Sequence, residues 1–174
     1  YQTLQSNTTG QYNNALGYRA LYANTTGENN IGIGHEVLYT NTVGVRNVAI
    51  GRRTLYSNTT GSYNVSLGQE SMYDNTTGAN NVAVGYEALR SNTIGQFNNA
   101  LGYRALYAST TANYNSSIGF ETLFSNTTGN NNIALGFRAL KCNTTGQFNT
   151  AIGNNSLYSN TTGNHNSTDR KSVV

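Results

Sequence analysis

The chain has 174 residues, a formal charge of +3 and 10% charged residues, where a soluble domain usually carries ~25%. Its basic residues are scattered, which gives only weak support for bulk electrostatic attraction to nucleic acid or to a membrane surface, and no apolar run approaches the ~18 residues of a membrane-spanning helix. Pro and Trp are absent and Cys and Met occur once each, yet 13 Tyr and 5 Phe recur at regular spacing, which argues for order rather than for a polar disordered chain.

The first segment, YQTLQS (residues 1–6), is the tail of a phrase that the rest of the chain repeats. The chain opens without Met and is expected to be a piece of something longer. From Asn7 the phrase recurs every 17 residues, with Asn at 7, 24, 41, 58, 75, 92, 126, 143 and 160 and Ser109 on the same grid. Numbered from this Asn, the consensus is N-T-T-G-x-[YFN]-N-x-A-[LIV]-G-[YF]-[RE]-A-L-Y-S, and nine full copies span residues 7–159. Glycine is confined to positions four and eleven, nine at each, with Gly32 the one exception. Two such phases imply two places where the backbone needs positive φ or close approach.

A helix does not tolerate two Gly and several Asn and Thr in 17 residues. The expected fold is all-β: a parallel β-solenoid (β-roll) of nine to ten 17-residue coils. One strand is expected near positions seven to ten and a second near thirteen to sixteen, with NTTG and G-[YF] turning the corners. Stacked coils place equivalent residues ~4.8 Å apart. The Leu, Ile or Val of position ten (Leu16 to Ile152) and the Leu of position fifteen are expected to form two interior columns. Position seven is expected to form an amide ladder of Asn13, Asn30, Asn47, Asn64, Asn81, Asn98, Asn115, Asn132 and Asn149.

Position thirteen reads Arg19, Glu36, Arg53, Glu70, Glu87, Arg104, Glu121, Arg138, and six of its seven neighbouring pairs are opposite in sign. Alternation at this spacing points to an inter-coil charge ladder that serves register, each exposed pair contributing only ~0–1 kcal/mol. Position sixteen carries Tyr22, Tyr39, Tyr56, Tyr73, Tyr107, Phe124 and Tyr158, and position twelve carries Tyr18, Tyr86, Tyr103, Phe120 and Phe137. These aromatics either cover the strand edges by stacking or form an interface to other copies. The core is thin enough for further burial against sister chains or in a fibre to be expected.

Toward the C-terminus the phrase decays from residue 160: Asp169 and Arg170 take the aliphatic and glycine positions. Coiling is expected to stop near Asn166, which bounds the array at residues 1–166 and leaves 167–174 as a tail or cap.

Segments such as NVAIG (Asn47–Gly51), NVAVG (Asn81–Gly85), NIALG (Asn132–Gly136) and NTAIG (Asn149–Gly153) resemble the head repeats of YadA-like trimeric autotransporter adhesins. The phrase is also similar to repeats of bacterial surface proteins and of viral tail fibres. The resemblance implies a left-handed parallel β-roll, commonly trimeric, serving as a surface stalk or adhesin head. The period differs, at 17 residues here against the 14 typical of those heads, and no neck, stalk, anchor or chaperone domain is expected within residues 1–174.

Site chemistry is sparse. His35 and His165 stand at aromatic phases, Cys142 at a small-residue phase, and the acids of position thirteen alternate with Arg; neither a catalytic group nor a metal or cofactor is expected. Asn7, Asn24, Asn58, Asn75, Asn126, Asn143 and Asn160 each begin an N-x-[ST] sequon and are candidates for N-glycosylation, as are Asn64, Asn115, Asn154 and Asn166. Val43 and Ile94 destroy the sequon in two coils yet keep a β-branched residue, which favours a backbone reason for the phrase. The expected function is a non-enzymatic structural module of an extracellular, cell-surface or virion fibre, filament or adhesin. It would self-associate as a trimer or helical fibre, with no nucleic-acid partner and no membrane span. Two alternatives stay open: a glycan-binding surface of stacked Tyr, and an ice-binding solenoid built on Thr ladders.

Overall fold

The computed structural model describes residues 2–169. Positions eight to ten of each coil form a three-residue strand: β1 (Asn14–Leu16), β2 (Ile31–Ile33), β3 (Val48–Ile50), β4 (Val65–Leu67), β5 (Val82–Val84), β6 (Asn99–Leu101), β7 (Ser116–Ile118), β8 (Ile133–Leu135), β9 (Thr150–Ile152) and β10 (Ser167–Asp169). They make one parallel sheet in chain order, with partners one phrase apart, as in Ala49↔Ser66. The chain is thus a β-solenoid whose layers are the repeats. Coiling continues past Asn166, because Asp169 pairs with Ile152; its position faces water, so a carboxylate is tolerated there. Arg170 and the rest of the expected tail lie outside the described residues.

The second strand is not formed. Positions thirteen and fifteen adopt left-handed backbone at non-glycine residues, for example Arg53 (φ 54°) and Leu55 (φ 51°), and so does position six, as at Tyr63 (φ 60°). Each such residue costs about 1–2 kcal/mol. Inter-coil hydrogen bonds offset that cost: Leu55 N–H donates to Ser71 O (3.1 Å) in the next coil and Arg53 N–H to His35 O (2.9 Å) in the one before. The left-handed residues alternate the direction in which peptides point, so this segment bonds to both neighbours without being extended.

The core is narrower than the apolar pattern implies. Position fifteen is interior: Leu21, Leu38, Leu55, Met72, Leu89, Leu106, Leu123 and Leu140 are fully buried, worth on the order of 2 kcal/mol each. Beside them lie the small residues of positions nine and fourteen, such as Ala83 and Ala88. Position ten does not join them. Leu101 keeps 37% of its surface exposed and Leu16 68%, and the strands bury their middle residue instead. Alternation along the strand explains the correction. The buried Asn of position seven sets the parity, so position nine points in and positions eight and ten point out. Hydroxyls that replace Ala inside bond to one another, as Ser66 does to Ser71 (2.8 Å).

Position-eleven glycines combine positive φ with backbone contact: Gly85 has φ +136°, and a Cβ there would lie 2.4 Å from Gly102 O. Gly32, outside both glycine phases, faces Val37, and a Cβ would lie 3.3 Å from its Cγ1; the missing methyl makes room for the larger neighbour. Gly85→Ala is therefore expected to lower unfolding free energy by roughly 3 kcal/mol or more, from strain plus overpacking, whereas Gly32→Ala should shift it by no more than about 1 kcal/mol. Urea denaturation of the two variants checks the contrast.

Candidate functional site

Two buried amide ladders run the length of the solenoid. At position seven, Asn47 donates from its backbone N (3.0 Å) and from Nδ2 (3.2 Å) to Asn30 Oδ1, and from Nδ2 to Gly61 O (2.9 Å). At position one, Asn58 Nδ2 donates to Asn41 Oδ1 (2.8 Å) and to Gly61 O (2.9 Å). Both rows therefore converge on the position-four carbonyl. This is why glycine recurs there: a Cβ on Gly61 would lie 2.3 Å from Asn58 Oδ1 and 2.5 Å from Gly78 O. Position-two Thr supplies a further junction. Thr59 O receives N–H bonds from Thr42 (3.0 Å), Val43 (3.2 Å) and Gly44 (3.3 Å) and the Thr42 hydroxyl (3.1 Å).

This geometry leaves no room for a glycan on most of the candidate sequons. Asn24, Asn58, Asn75, Asn126 and Asn143 are fully buried, as is Asn64, and Asn115 nearly so. The nitrogen a glycan would need is a ladder donor, as in Asn75 to Asn58 Oδ1 (2.8 Å) and Asn143 to Asn126 Oδ1 (2.8 Å). Only toward the ends do sequon side chains reach water, at Asn7 and Asn154 fully and at Asn160 and Asn166 in part.

The position-thirteen charges pair within the chain and in one direction. Arg53 Nε meets Glu36 at 2.9 Å, Arg104 meets Glu87 at 2.6 Å and Arg138 meets Glu121 at 2.9 Å, each Arg reaching to the coil before it. Arg19 follows the same rule and bonds Gln2 Oε1 (2.9 Å) rather than Glu36. The like-charged neighbours Glu70 and Glu87 are bridged by Arg90, whose Nε lies 3.6 Å from Glu70 and 3.8 Å from Glu87, with Nη1 3.4 Å from Asp74. Burial pushes the Asp74 carboxyl above its ordinary value, and Arg90 opposes the shift. Hydrogen bonding from the Lys141 ammonium (2.8 Å), and then from Arg138, holds Glu121 below its ordinary value.

The aromatics form columns. Tyr22, Tyr39, Tyr56 and Tyr73 stack with centroids 5.1 Å apart, and Tyr107 stacks on Phe124 at 5.1 Å. Arg90 and Lys141 interrupt the column at its own position and cap it, 5.0 Å from the Tyr73 centroid and 5.5 Å from that of Phe124; Tyr158 follows the second interruption. Position twelve is a second column, Tyr86–Tyr103–Phe120–Phe137. His35 and His165 extend aromatic stacks, on Tyr18 (5.1 Å) and Phe148 (5.0 Å). Neighbouring rings cover one another's faces. Position sixteen is half-buried, whereas position twelve is exposed.

The outward residues of the sheet were missed by reading hydrophobicity as burial. Position ten (Ile33, Ile50, Leu101, Ile118, Leu135, Ile152), flanked by Ile31, Val48, Val65, Val82 and Ile133 of position eight and the aromatics of position twelve, makes a long apolar stripe in contact with water. The small residues of position nine were the available signal that the adjacent positions face out. No three of the His, Cys, Asp and Glu side chains among the described residues gather to hold a metal ion. An open depression of about 570 Å³ is lined by Ser156, Tyr158, Asn160 and Asp169.

The position-one ladder has one break. Ser109 replaces Asn, and its Oγ and Asn92 Oδ1 are buried without partners. The same coil has Ala112 in place of Gly, a methyl that an Asn side chain at 109 would crowd as Asn92 would crowd one at Gly95 (2.4 Å). Ser109→Asn alone should lower the melting temperature, while Ser109→Asn with Ala112→Gly should exceed the parent by about 1–2 kcal/mol, read by calorimetry. Glu121, with its folded pKa depressed, contributes stability that is full above its ordinary value of 4.5 and is lost as pH falls through the lower folded value. Glu121→Gln should therefore be less stable than the parent at pH 7 and converge with it in acid, in urea midpoints measured across pH.

No family model, curated protein or solved structure matches the chain.

Proposed function

We propose that the chain is a non-enzymatic structural module of an extracellular, cell-surface or virion fibre, filament or adhesin, and that copies associate side by side through the outer face of the sheet. The observation that carries this is the exposed aliphatic column of position ten with its flanking rows. Ten strands at ~4.8 Å give a face about 45 Å long, and five positions at ~3.3 Å make it about 15 Å wide. That is on the order of 700 Å² per copy, close to the ~800 Å² per partner of a stable interface. The face is uncharged along position ten from Leu16 to Ile152, and its strict period suits a partner with the same period, another copy of this chain. Among the described residues no helix is long and apolar enough to cross a membrane, and the module needs none.

A second reading, an ice-binding surface, has one specific support. Position-two hydroxyls are committed to carbonyls, but the position-three row (Thr9, Thr26, Thr60, Thr77, Thr111, Thr128, Thr145) presents exposed methyls and hydroxyls at the coil spacing. Thermal hysteresis by the parent that is lost in Thr60→Lys/Thr77→Lys would establish it.

The assembly reading is tested by sedimentation over a wide concentration range. The parent should exceed the single-chain mass, and Ile50→Lys with Leu101→Lys and Ile118→Lys should return it to that mass with unchanged circular dichroism. A parent that sediments as one chain throughout would overturn the proposal.

A further inference from the structure

We infer that the column Tyr22–Tyr39–Tyr56–Tyr73 is a site of oxidative cross-linking, at which a peroxide-driven one-electron oxidant joins adjacent tyrosines as dityrosine and staples coil to coil. The four rings are held in contact by the backbone: centroids are 5.1 Å apart at each step and successive planes differ by 12°, 6° and 3°. All four are half-buried, so an oxidant reaches the column and the rings have room to tilt until two ortho carbons meet.

The chemistry balances without a further reagent. Each of two neighbouring phenols loses one electron and one proton to give a phenoxyl radical with spin density on the ring carbons ortho to oxygen. Two such carbons form a C–C bond. The hydrogens on the joined carbons then move to the phenoxyl oxygens and restore both aromatic rings. Hydrogen peroxide, acting through a haem peroxidase, accepts the two electrons and two protons and leaves as two waters. Each cross-link therefore costs the chain two hydrogen atoms and no others.

Specificity follows from what each tyrosine stacks on. Tyr86 and Tyr103 form a looser second pair, at 5.6 Å and 10°. Tyr107 and Tyr114 stack on Phe124 and Phe97, which have no phenolic hydrogen to give. A staple between neighbouring coils closes a loop of one repeat, which restricts the unfolded chain and raises resistance to denaturation. The inference depends on stacking within one chain and survives failure of the side-by-side assembly.

The test is to treat dilute protein with a haem peroxidase and hydrogen peroxide, read dityrosine fluorescence, and map cross-linked peptides by mass spectrometry. Expected are monomeric products lighter by two hydrogens per link, with 22/39, 39/56 or 56/73 dominant, and an unfolding midpoint at higher urea. Tyr39→Phe with Tyr56→Phe keeps rings in the column but leaves Tyr22 and Tyr73 without a phenol neighbour. It should abolish these links and the midpoint shift while retaining the parent circular dichroism. Links formed only between chains, an unaltered yield in the double variant, or a folded parent that gives no dityrosine would each overturn the inference.

Discussion

The stacking of buried amides sets the terms for the rest of the molecule. An amide removed from water costs about 1–3 kcal/mol when unpaired, so a row of them is stable only when each meets its counterpart at a fixed distance. The carbonyls of positions one and seven accept from the next coil, and their nitrogens donate to the coil before and to the position-four carbonyls. A coil out of phase by one residue loses all of these together. The ladders thereby fix the period, require glycine at position four, and set strand parity through the inward Asn of position seven. Burying an amide column also uses interior width, which leaves room for one large aliphatic per coil.

How much of this could be read from the letters depends on whether a residue type or a backbone angle carries the information. The period, the Asn13–Asn149 ladder, the Leu column and the strands at positions eight to ten were legible, because each demands a particular side chain at a particular phase. The second strand was not, because Leu55 and Arg53 in the left-handed region look like any strand residues, and the compensation comes from neighbouring coils. The sequons misled for a related reason. Position one needs an amide for the ladder, and position three takes an exposed β-branched residue; their coincidence spells a glycosylation signal where most coils bury the amide. The charge ladder was legible in its alternation but not in its direction, which the Arg19–Gln2 bond shows to be always backward.

Several deviations from the phrase are paired, and the pairs are spatial. Ser109 goes with Ala112, Gly32 with Val37, and Ser66 with Ser71. The failure of charge alternation at Glu70/Glu87 goes with the loss of tyrosine at Arg90, which lies within ion-pair distance of three carboxylates and closes the end of the tyrosine column. Such compensation within a coil or between adjacent coils is what a one-dimensional stack requires, since nothing farther away is in contact.

Interior constraints therefore account for positions one, four, seven, nine, eleven, fourteen and fifteen, and they are silent on position ten. An outward strand residue could as well be Thr, which suits a strand and carries a hydroxyl for water. Yet the nine coils from Leu16 to Ile152 use Leu, Ile or Val without exception, while position eight beside it admits Asn14, Asn99, Ser116 and Thr150. Strand propensity acts on both positions alike and cannot explain the difference. The difference supports the proposed side-by-side association, which would need apolar surface at every layer along one line, and a second solenoid of the same phrase would meet that line at no added cost in register.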